Sequence, residues 1–238
     1  HLLCNGFVLT GAGGTSPVEL WNPQFLHRLE VLLGPTGAIF GGGYGGALVA
    51  TSLTPFDGLN TGTSLQLLSR VNTTGGSTDE SPRLASETGI SIMGRKATSD
   101  WSLQSTWTEN PGYRDQESNQ KRNLELHRRW KPQPNVLHHM WSGLFQASWD
   151  LPGSLTAEQA ESNPSNAPGR AYDARVERER YWLAWSRTAT NANAKNGLWA
   201  FGQASNKYNP FGTSPFYQGL KEEQEINGYP PFSWQAKT

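Results

Sequence analysis

Between Trp101 and Thr108 the chain reads WSLQSTWT, and its two faces differ in kind. Trp101, Leu103, Ser105 and Trp107 fall on one side; Ser102, Gln104, Thr106 and Thr108 fall on the other. Successive side chains of an extended chain point to opposite faces, so this period of two commits the segment to a β-strand with one apolar and one polar face. The pattern recurs. At 64–72, Leu65, Leu67 and Val71 oppose Gln66, Arg70 and Asn72, with Leu68 and Ser69 breaking the order. At 123–130, Leu124, Leu126 and Trp130 oppose Asn123, Glu125, His127 and Arg129. At 137–149, Leu137, Trp141, Phe145, Ala147 and Trp149 oppose His138, Ser142, Gln146 and Ser148. Weaker strand signals cover 85–97, 176–190, 197–207 and 218–226. The fold class is therefore all-β.

The segments between the strands carry a second signal. In order they are GGSTDESP, TSD, NPGYRDQES, KPQPN, a long stretch from Leu151 to about Asp173, NANAKN, YNPFGTSPFY and NGYPP. Longer and shorter connections alternate, as in an up-and-down antiparallel sheet whose two ends face different surroundings. Outer-membrane barrels have this asymmetry, together with strands of ~10 alternating residues and aromatic girdles. If the apolar faces meet lipid, Arg70, Arg95, Glu125, Arg129, Gln146 and Ser148 line a lumen. In a small soluble barrel the assignment inverts, and alternation alone does not choose between the two. Trp101 and Trp107, near opposite ends of one strand, favour the membrane reading because Trp gathers at both membrane–water interfaces.

Composition narrows the classes. Twenty Lys and Arg balance twenty Asp and Glu, so the basic excess of a nucleic-acid binder is absent. Charged residues make up 17%, against ~25% in typical soluble domains. Mean hydropathy is still −0.61, because Ser, Thr, Asn, Gln and Gly fill the remainder. Ten Trp and 26 Gly suit strands joined by many turns. The single cysteine, Cys4, excludes an internal disulfide framework. No window approaches the ~20 consecutive apolar residues of a membrane helix. The chain opens on His1 and enters a strand-like HLLCNGFVL directly, which reads as a piece of a longer protein.

Residues 1–55 have a different texture: short apolar runs (LLCNGFVL, FLHRLEVLL, ALVAT) around many glycines. Gly41, Gly43 and Gly46 satisfy G-x-G-x-x-G, but a dinucleotide site needs a helix opening at that point. ALVATSLTPF follows instead and reads as a strand ending in a turn. His138 and His139, adjacent in a strand, point to opposite faces, and His1, His27 and His127 stand apart, so no metal site is expected. The acidic pairs are also structural in pattern. Glu158 and Glu161 follow Thr156-Ala157-Glu158-Gln159, a capping box on a short helix. Glu177 and Glu179 alternate with Arg178 and Arg180 in what reads as a solvated strand end. Glu222, Glu223 and Glu225 crowd one segment. No catalytic residue is expected, and Asn72-Thr73-Thr74 fits a glycosylation acceptor only by chance.

The stretch LHRLEVLLGPTGAIFGGGYGGALVATS resembles the end of the plug domain of TonB-dependent outer-membrane receptors, roughly I-E-R-I-E-V-L-R-G-P-x-x-x-L-Y-G-x-x-x-x-G-G-V-I-x-I. Arg28, Leu29, Glu30, Val31, Leu32, Gly34, Pro35, Gly41, Gly45 and Gly46 stand at matching positions. HLLCNGFVLT is similar to the family's L-V-D-G-x-P-L strand and turn, with Asn5 replacing Asp. NKYNPFGTSPFYQGLKEEQE and LPGSLTAEQAESNPSNAPGRA resemble barrel segments of its iron-complex receptors. His27 and Leu33 depart from the family's usual acid and Arg.

The resemblance implies a C-terminal part of a plug over 1–55. It implies the first eight or nine strands of a partial antiparallel transmembrane β-barrel over 62–238, too few to close a barrel of about 22 strands. Arg28 and Glu30 then help hold plug to barrel, and Gly34, Pro35, Gly41, Gly45 and Gly46 form plug turns. The implied function is TonB-dependent uptake of a scarce nutrient across the bacterial outer membrane, a ferric siderophore in the first place. The partners are outer-membrane lipid and an inner-membrane energy complex; no cofactor is implied. With an upward strand starting at Leu65, the connections 74–82, 110–118, 150–175 and 208–217 face outside, and Tyr113, Arg114, Tyr208, Phe211, Phe216 and Tyr217 become candidate ligand contacts. The alternative is a soluble all-β carbohydrate-binding module or glycosidase fragment with Trp sugar platforms.

Overall fold

A computed structural model describes residues 2–10, 18, 23–34, 45–55, 61–74, 83–168, 175–190, 194–208, 222–229 and 232–236. Two sheets account for the strands. The smaller has the order β2-β1-β4-β3, with β1 at Leu2–Cys4, β2 at Phe7–Val8, β3 at Leu26–Leu33 and β4 at Gly46–Ser52. Among the described residues, β1 pairs in parallel with β4, and β1–β2 and β3–β4 are antiparallel. Asn5 and Gly6, at φ 53° and 87°, make the two-residue turn of β1–β2. An Asn-Gly pair turns with the twist of its flanking strands. Asn5 also clasps the end of β4: Ser52 N donates to Asn5 Oδ1 at 2.9 Å, and Asn5 Nδ2 donates to Ser52 Oγ at 3.0 Å.

The glycines expected at turns fall in two groups. Gly34 ends β3 at φ 99°, and Gly46 opens β4 at φ 124°. A Cβ on Gly46 would lie 2.3 Å from the Leu32 carbonyl oxygen, so only glycine fits that start. Gly45 adjoins it, with open space where a Cβ would stand; Pro35 and Gly41 lie outside the described residues.

The larger sheet is an antiparallel meander and forms a segment of a β-barrel. Its strands are β5 (Gly62–Thr74), β6 (Arg83–Lys96), β7 (Ser99–Asn110), β8 (Asn119–Gln133), β9 (Val136–Asp150), β10 (Arg175–Thr190), β11 (Ala194–Tyr208), β12 (Glu222–Tyr229) and β13 (Phe232–Ala236). β12 and β13 both pair with β11, in one continuous register. Phe201 opposes Tyr229 and Leu198 opposes Phe232, so the two occupy one strand position on either side of Pro230 and Pro231, which have no N–H for a ladder.

The expected sorting of connections is present except at NGYPP, which is no turn between neighbouring strands: Asn227–Tyr229 belong to β12, and β13 continues the same strand position on β11. Residues 97–98, 134–135 and 191–193 join strands at one end; residues 75–82, 111–118, 151–174 and 209–221 join them at the other. In the longest of these, helix α1 (Ala157–Ser162) starts as its sequence demands. Gln159 N donates to Thr156 Oγ1, and Thr156 N donates to Gln159 Oε1, the two halves of a capping box.

Candidate functional site

Cross-strand register assigns every side chain of the large sheet to a face, because directly paired residues lie on the same side. The face against which the small sheet packs is the inner one. On β7 and β8 it carries Asp100, Ser102, Gln104, Asn123, Glu125 and His127, all buried. The outer face carries Trp101, Leu103, Trp107, Leu124 and Leu126, all exposed. β5 and β6 continue this outward face with Leu65, Leu67, Val71, Leu84 and Ile90. A soluble barrel would hide these residues and expose the others; the register thus shows which face of each strand is the inner one.

Four of the six expected lumenal residues do face inward. Arg70 pairs with Glu87 at 3.9 Å. Arg95 stands opposite Asp100, and Arg129 forks onto the Asp100 carboxylate at 2.6–3.2 Å. Glu125 lies beneath the small sheet. Gln146 and Ser148 are a correction. They share the outer face with Arg122 and Gln120, their partners on β8, and Gln146 donates to Glu179 at 3.0 Å. On β9 the apolar set Trp141, Phe145 and Ala147 turns inward instead. The reason is its occupant: Leu2, Cys4, Phe7, Leu9 and Ala50 of the small sheet pack against Trp141, Phe145, Ala147, Trp182 and Ala184 in one core. Apolar contact with another part of the chain draws these residues away from the outer face.

Close approach is part of that packing. The Trp182 ring lies across Gly143 of the neighbouring strand; a Cβ there would sit 2.3 Å from the ring and 2.6 Å from the Leu124 carbonyl oxygen. The Phe25 ring likewise covers Gly89, 3.1 Å from where a Cβ would stand. Gln104 Nε2 donates to the Leu53 carbonyl at 2.9 Å and ties β7 to the segment after β4.

Where the apolar and polar sectors of the inner wall meet, a chain of buried polar groups forms that the sequence does not advertise. Trp141 Nε1 donates to Glu125 Oε2 at 2.9 Å, and Asn123 Nδ2 donates to Glu125 Oε1 at 2.9 Å. Glu125 Oε2 lies 3.4 Å from His127 Nε2, whose Nδ1 is 3.4 Å from His139 Nε2. The rings of Phe7, His139, His127 and Trp141 stack or tilt against one another at 5.7–6.5 Å. His138 and His139 do point to opposite faces, but His127 is not isolated. The signal lay in combining strand alternation with the β8–β9 register, which sets Arg129 opposite His139 and His127 opposite Trp141. Among the described residues no cluster of His, Cys, Asp and Glu is suited to hold a metal ion.

Cys4 is buried in the same interface. Burial pushes its thiol well above the usual range, the Glu125 charge adds to the rise, and a hydrogen bond with Ser52 opposes it. A thiol so held is a poor nucleophile.

The remaining expected site residues lie elsewhere. Arg28 and Glu30 sit two apart on β3 and pair with each other; both are at least partly exposed. Tyr113 and Arg114 lie at the long-connection end. Tyr113 is 37% exposed. The Arg114 guanidinium donates to the carbonyls of Asn166 and Gly153 at 2.7–3.0 Å, and its backbone N–H donates to Glu117. Arg114 therefore staples the 111–118 connection to the 151–168 segment. Arg83, bonded to Asp115 at 2.8 Å and to the Arg114 carbonyl at 3.0 Å, anchors the other side. Tyr208 ends β11; Phe211, Phe216 and Tyr217 lie outside the described residues. Of the acidic pairs, Glu177 and Glu179 face outward, while Arg180 between β9 and β11 is buried.

Among solved structures, the chain is similar to the ferric citrate transporter FecA in its unliganded form, with a TM-score of 0.74 over 87% of this chain at 13% identity. It spans 31% of that transporter chain. At such identity the likeness is one of fold. No family model matches the chain, and no curated protein matches it.

Proposed function

We propose that this chain is part of a TonB-dependent outer-membrane transporter that takes up a scarce nutrient, with a ferric siderophore complex as the first candidate. Residues 1–55 would form the C-terminal part of its plug and residues 62–238 the first strands of its barrel. The observation that carries the reading is the reversed sheet: on β5–β8 the apolar residues face out and the polar residues face in. Water would penalise that exterior, whereas a bilayer requires it. The fold likeness to FecA, a ferric citrate transporter, supports a transporter. The same reversal counts against a soluble carbohydrate-binding module.

In this reading the long connections face outside and the ligand meets them first. Tyr113 is the best placed contact among the described residues; Tyr208, at the end of β11, and Phe211, Phe216 and Tyr217, further along the sequence, stay candidates on the sequence pattern. Arg114 would shape this surface by holding two connections together. Arg28 and Glu30 would meet wall strands beyond those present here. An inner-membrane energy complex would displace the plug, and the interface to be opened is the one between the small sheet and β9–β10. No covalent step is involved.

The test is to express the full natural gene, fractionate the cells and run the outer-membrane fraction with and without boiling. A heat-modifiable band there, followed by ferric-chelate uptake that depends on the energy complex, is the expected result. A soluble product with no mobility shift would sink the proposal.

A further inference from the structure

We infer that the outer rim at the short-turn end, built by β7–β10, binds the headgroup phosphate of anionic phospholipids. The inference rests on the membrane reading above and adds a lipid class to it. Its elements are contiguous on the outer face. Trp101 opposes Arg128 on the next strand, and the Arg128 guanidinium carbon lies 5.8 Å from the centre of the Trp130 ring. Trp130 stacks on His138 at 4.9 Å and 9°, and His138 meets Trp185 at 5.7 Å. Arg187 stands directly opposite His138. Lys96 is exposed at the end of β6, one strand further on.

Charge separates this rim from the other. Among the described residues, the outward positions near the short turns carry Lys96, Arg128 and Arg187 and no Asp or Glu. The nearest carboxylate, Asp100, faces inward and is held by Arg129. At the long-connection end, by contrast, Glu109, Asp150, Glu177 and Glu179 share the outer face with Arg122 and Arg175. Arg175 is bonded to Asp150 at 2.7 Å.

The aromatic rings set the depth. Trp seeks the headgroup level, where its body is in hydrocarbon and its N–H is wet. Trp101, Trp130 and Trp185 therefore put the guanidinium groups of Arg128 and Arg187 beside them at the depth of lipid phosphates. A guanidinium matches phosphate oxygens in pairs. From Trp101 to Trp107 the outer face of β7 runs about 20 Å at ~3.4 Å per residue, so the two rims bracket an apolar band.

The experiment uses the full-length protein in mild detergent, offered equal amounts of phosphatidylglycerol and phosphatidylcholine, with lipid adducts counted by native mass spectrometry. The wild type should prefer the anionic lipid by roughly tenfold, because each basic residue at a lipid surface adds appreciably to its binding. In Arg128→Gln/Arg187→Gln the preference should fall towards unity. Arg122→Gln at the opposite rim should keep it, and millimolar inorganic phosphate should not displace the lipid. If the double Gln variant loses its heat-modifiable band, Arg128→Lys/Arg187→Lys takes its place and should keep most of the preference.

Equal adducts of the two lipids on a heat-modifiable wild type would overturn this inference and leave the transporter reading intact. So would a preference that survives the double Gln variant, one equally lost in Arg122→Gln, one lost in the Lys pair, or one that free phosphate abolishes. A protein with neither a heat-modifiable band nor lipid adducts would bring down both.

Discussion

β7–β8 and β9–β10 are neighbouring pairs in one meander, yet their inner faces have opposite character. The first pair presents Asp100, Ser102, Gln104, Glu125 and His127 inward; the second presents Trp141, Phe145, Trp182 and Ala184. Their outer faces differ less: Leu103, Leu124 and Leu126 on one, Met140, Leu144, Tyr181 and Leu183 on the other, the latter mixed with Ser142, Gln146 and Glu179. If the sheet spans a bilayer, the outer face has one demand along its whole width, which is to be apolar over its middle. The inner face has two. Where the small sheet lays its apolar residues on it, the wall is apolar and close-packed; elsewhere the wall is polar, bonded to itself and, through Gln104, to the segment after β4. A strand's inward residues thus report what lies against them, and here that is a piece of the same chain.

The largest effect should come from removing the apolar sector's centre. Trp141→Ala deletes a ring packed on Phe7, His127 and Trp182 and takes a hydrogen bond from buried Glu125. It should cost about 3–5 kcal/mol, as large aromatic deletions do. Cys4 is the reporter. In the wild type its buried, raised thiol should resist maleimide even as pH climbs through the ordinary thiol range of ~8–9, because the reactive thiolate barely forms there. In Trp141→Ala it should label readily. Slow labelling in the variant would mean that the small sheet is held mainly by the polar sector.

Next comes the outer face. Leu126→Arg places a charge in the middle of the exposed apolar band, opposite Leu103. In a bilayer this should cost about 2–4 kcal/mol, read as a lower temperature for loss of the folded band on gels. The equivalent change at Ser142, also outward and directly opposite Leu126 on β9, should cost a similar amount if both pairs meet lipid. A large difference between them would show that the β9–β10 exterior is covered by something else.

Gly143→Ala should cost about 1–3 kcal/mol through overpacking, since Trp182 and the Leu124 carbonyl both occupy the space. Gly89→Ala, facing only the edge of Phe25 and Thr106 at 3.1–3.5 Å, should cost less, and denaturant titration would rank the two. The smallest effect belongs to Asn5→Ala, about 1 kcal/mol from the lost Ser52 clasp and the positive φ. Asn5→Asp should be milder, because the acceptor for the Ser52 N–H survives.

The strands, their order of connection and the capping box at Thr156 were legible in the sequence. They depend on residues within a few positions of one another: a period of two and a Ser/Thr-x-x-Gln spacing. The resemblance to TonB-dependent receptors rests chiefly on one local run, from Arg28 to Gly46, with weaker matches before and after it. What was not legible was which face of each strand is the inner one. Trp141 and Leu124 look alike as apolar members of alternating strands, yet one is buried in a core and the other is exposed. Gln146 and Ser148 were misassigned for this reason. His127 looked solitary because its neighbours Glu125, His139 and Trp141 meet it only through hairpin register and closure against the small sheet.

The sequence by itself determined that this chain is a meander of two-faced strands preceded by a glycine-rich unit, because alternation and turn chemistry act over a few residues. Only the tertiary structure decided that polar residues line the inside of β5–β8, that β9–β10 turn their aromatic residues onto Phe7 and Leu2, and that Glu125, His127 and His139 form one chain. Those outcomes depend on what each face meets across tens of residues, and apolar surface follows its partner rather than its position in the pattern.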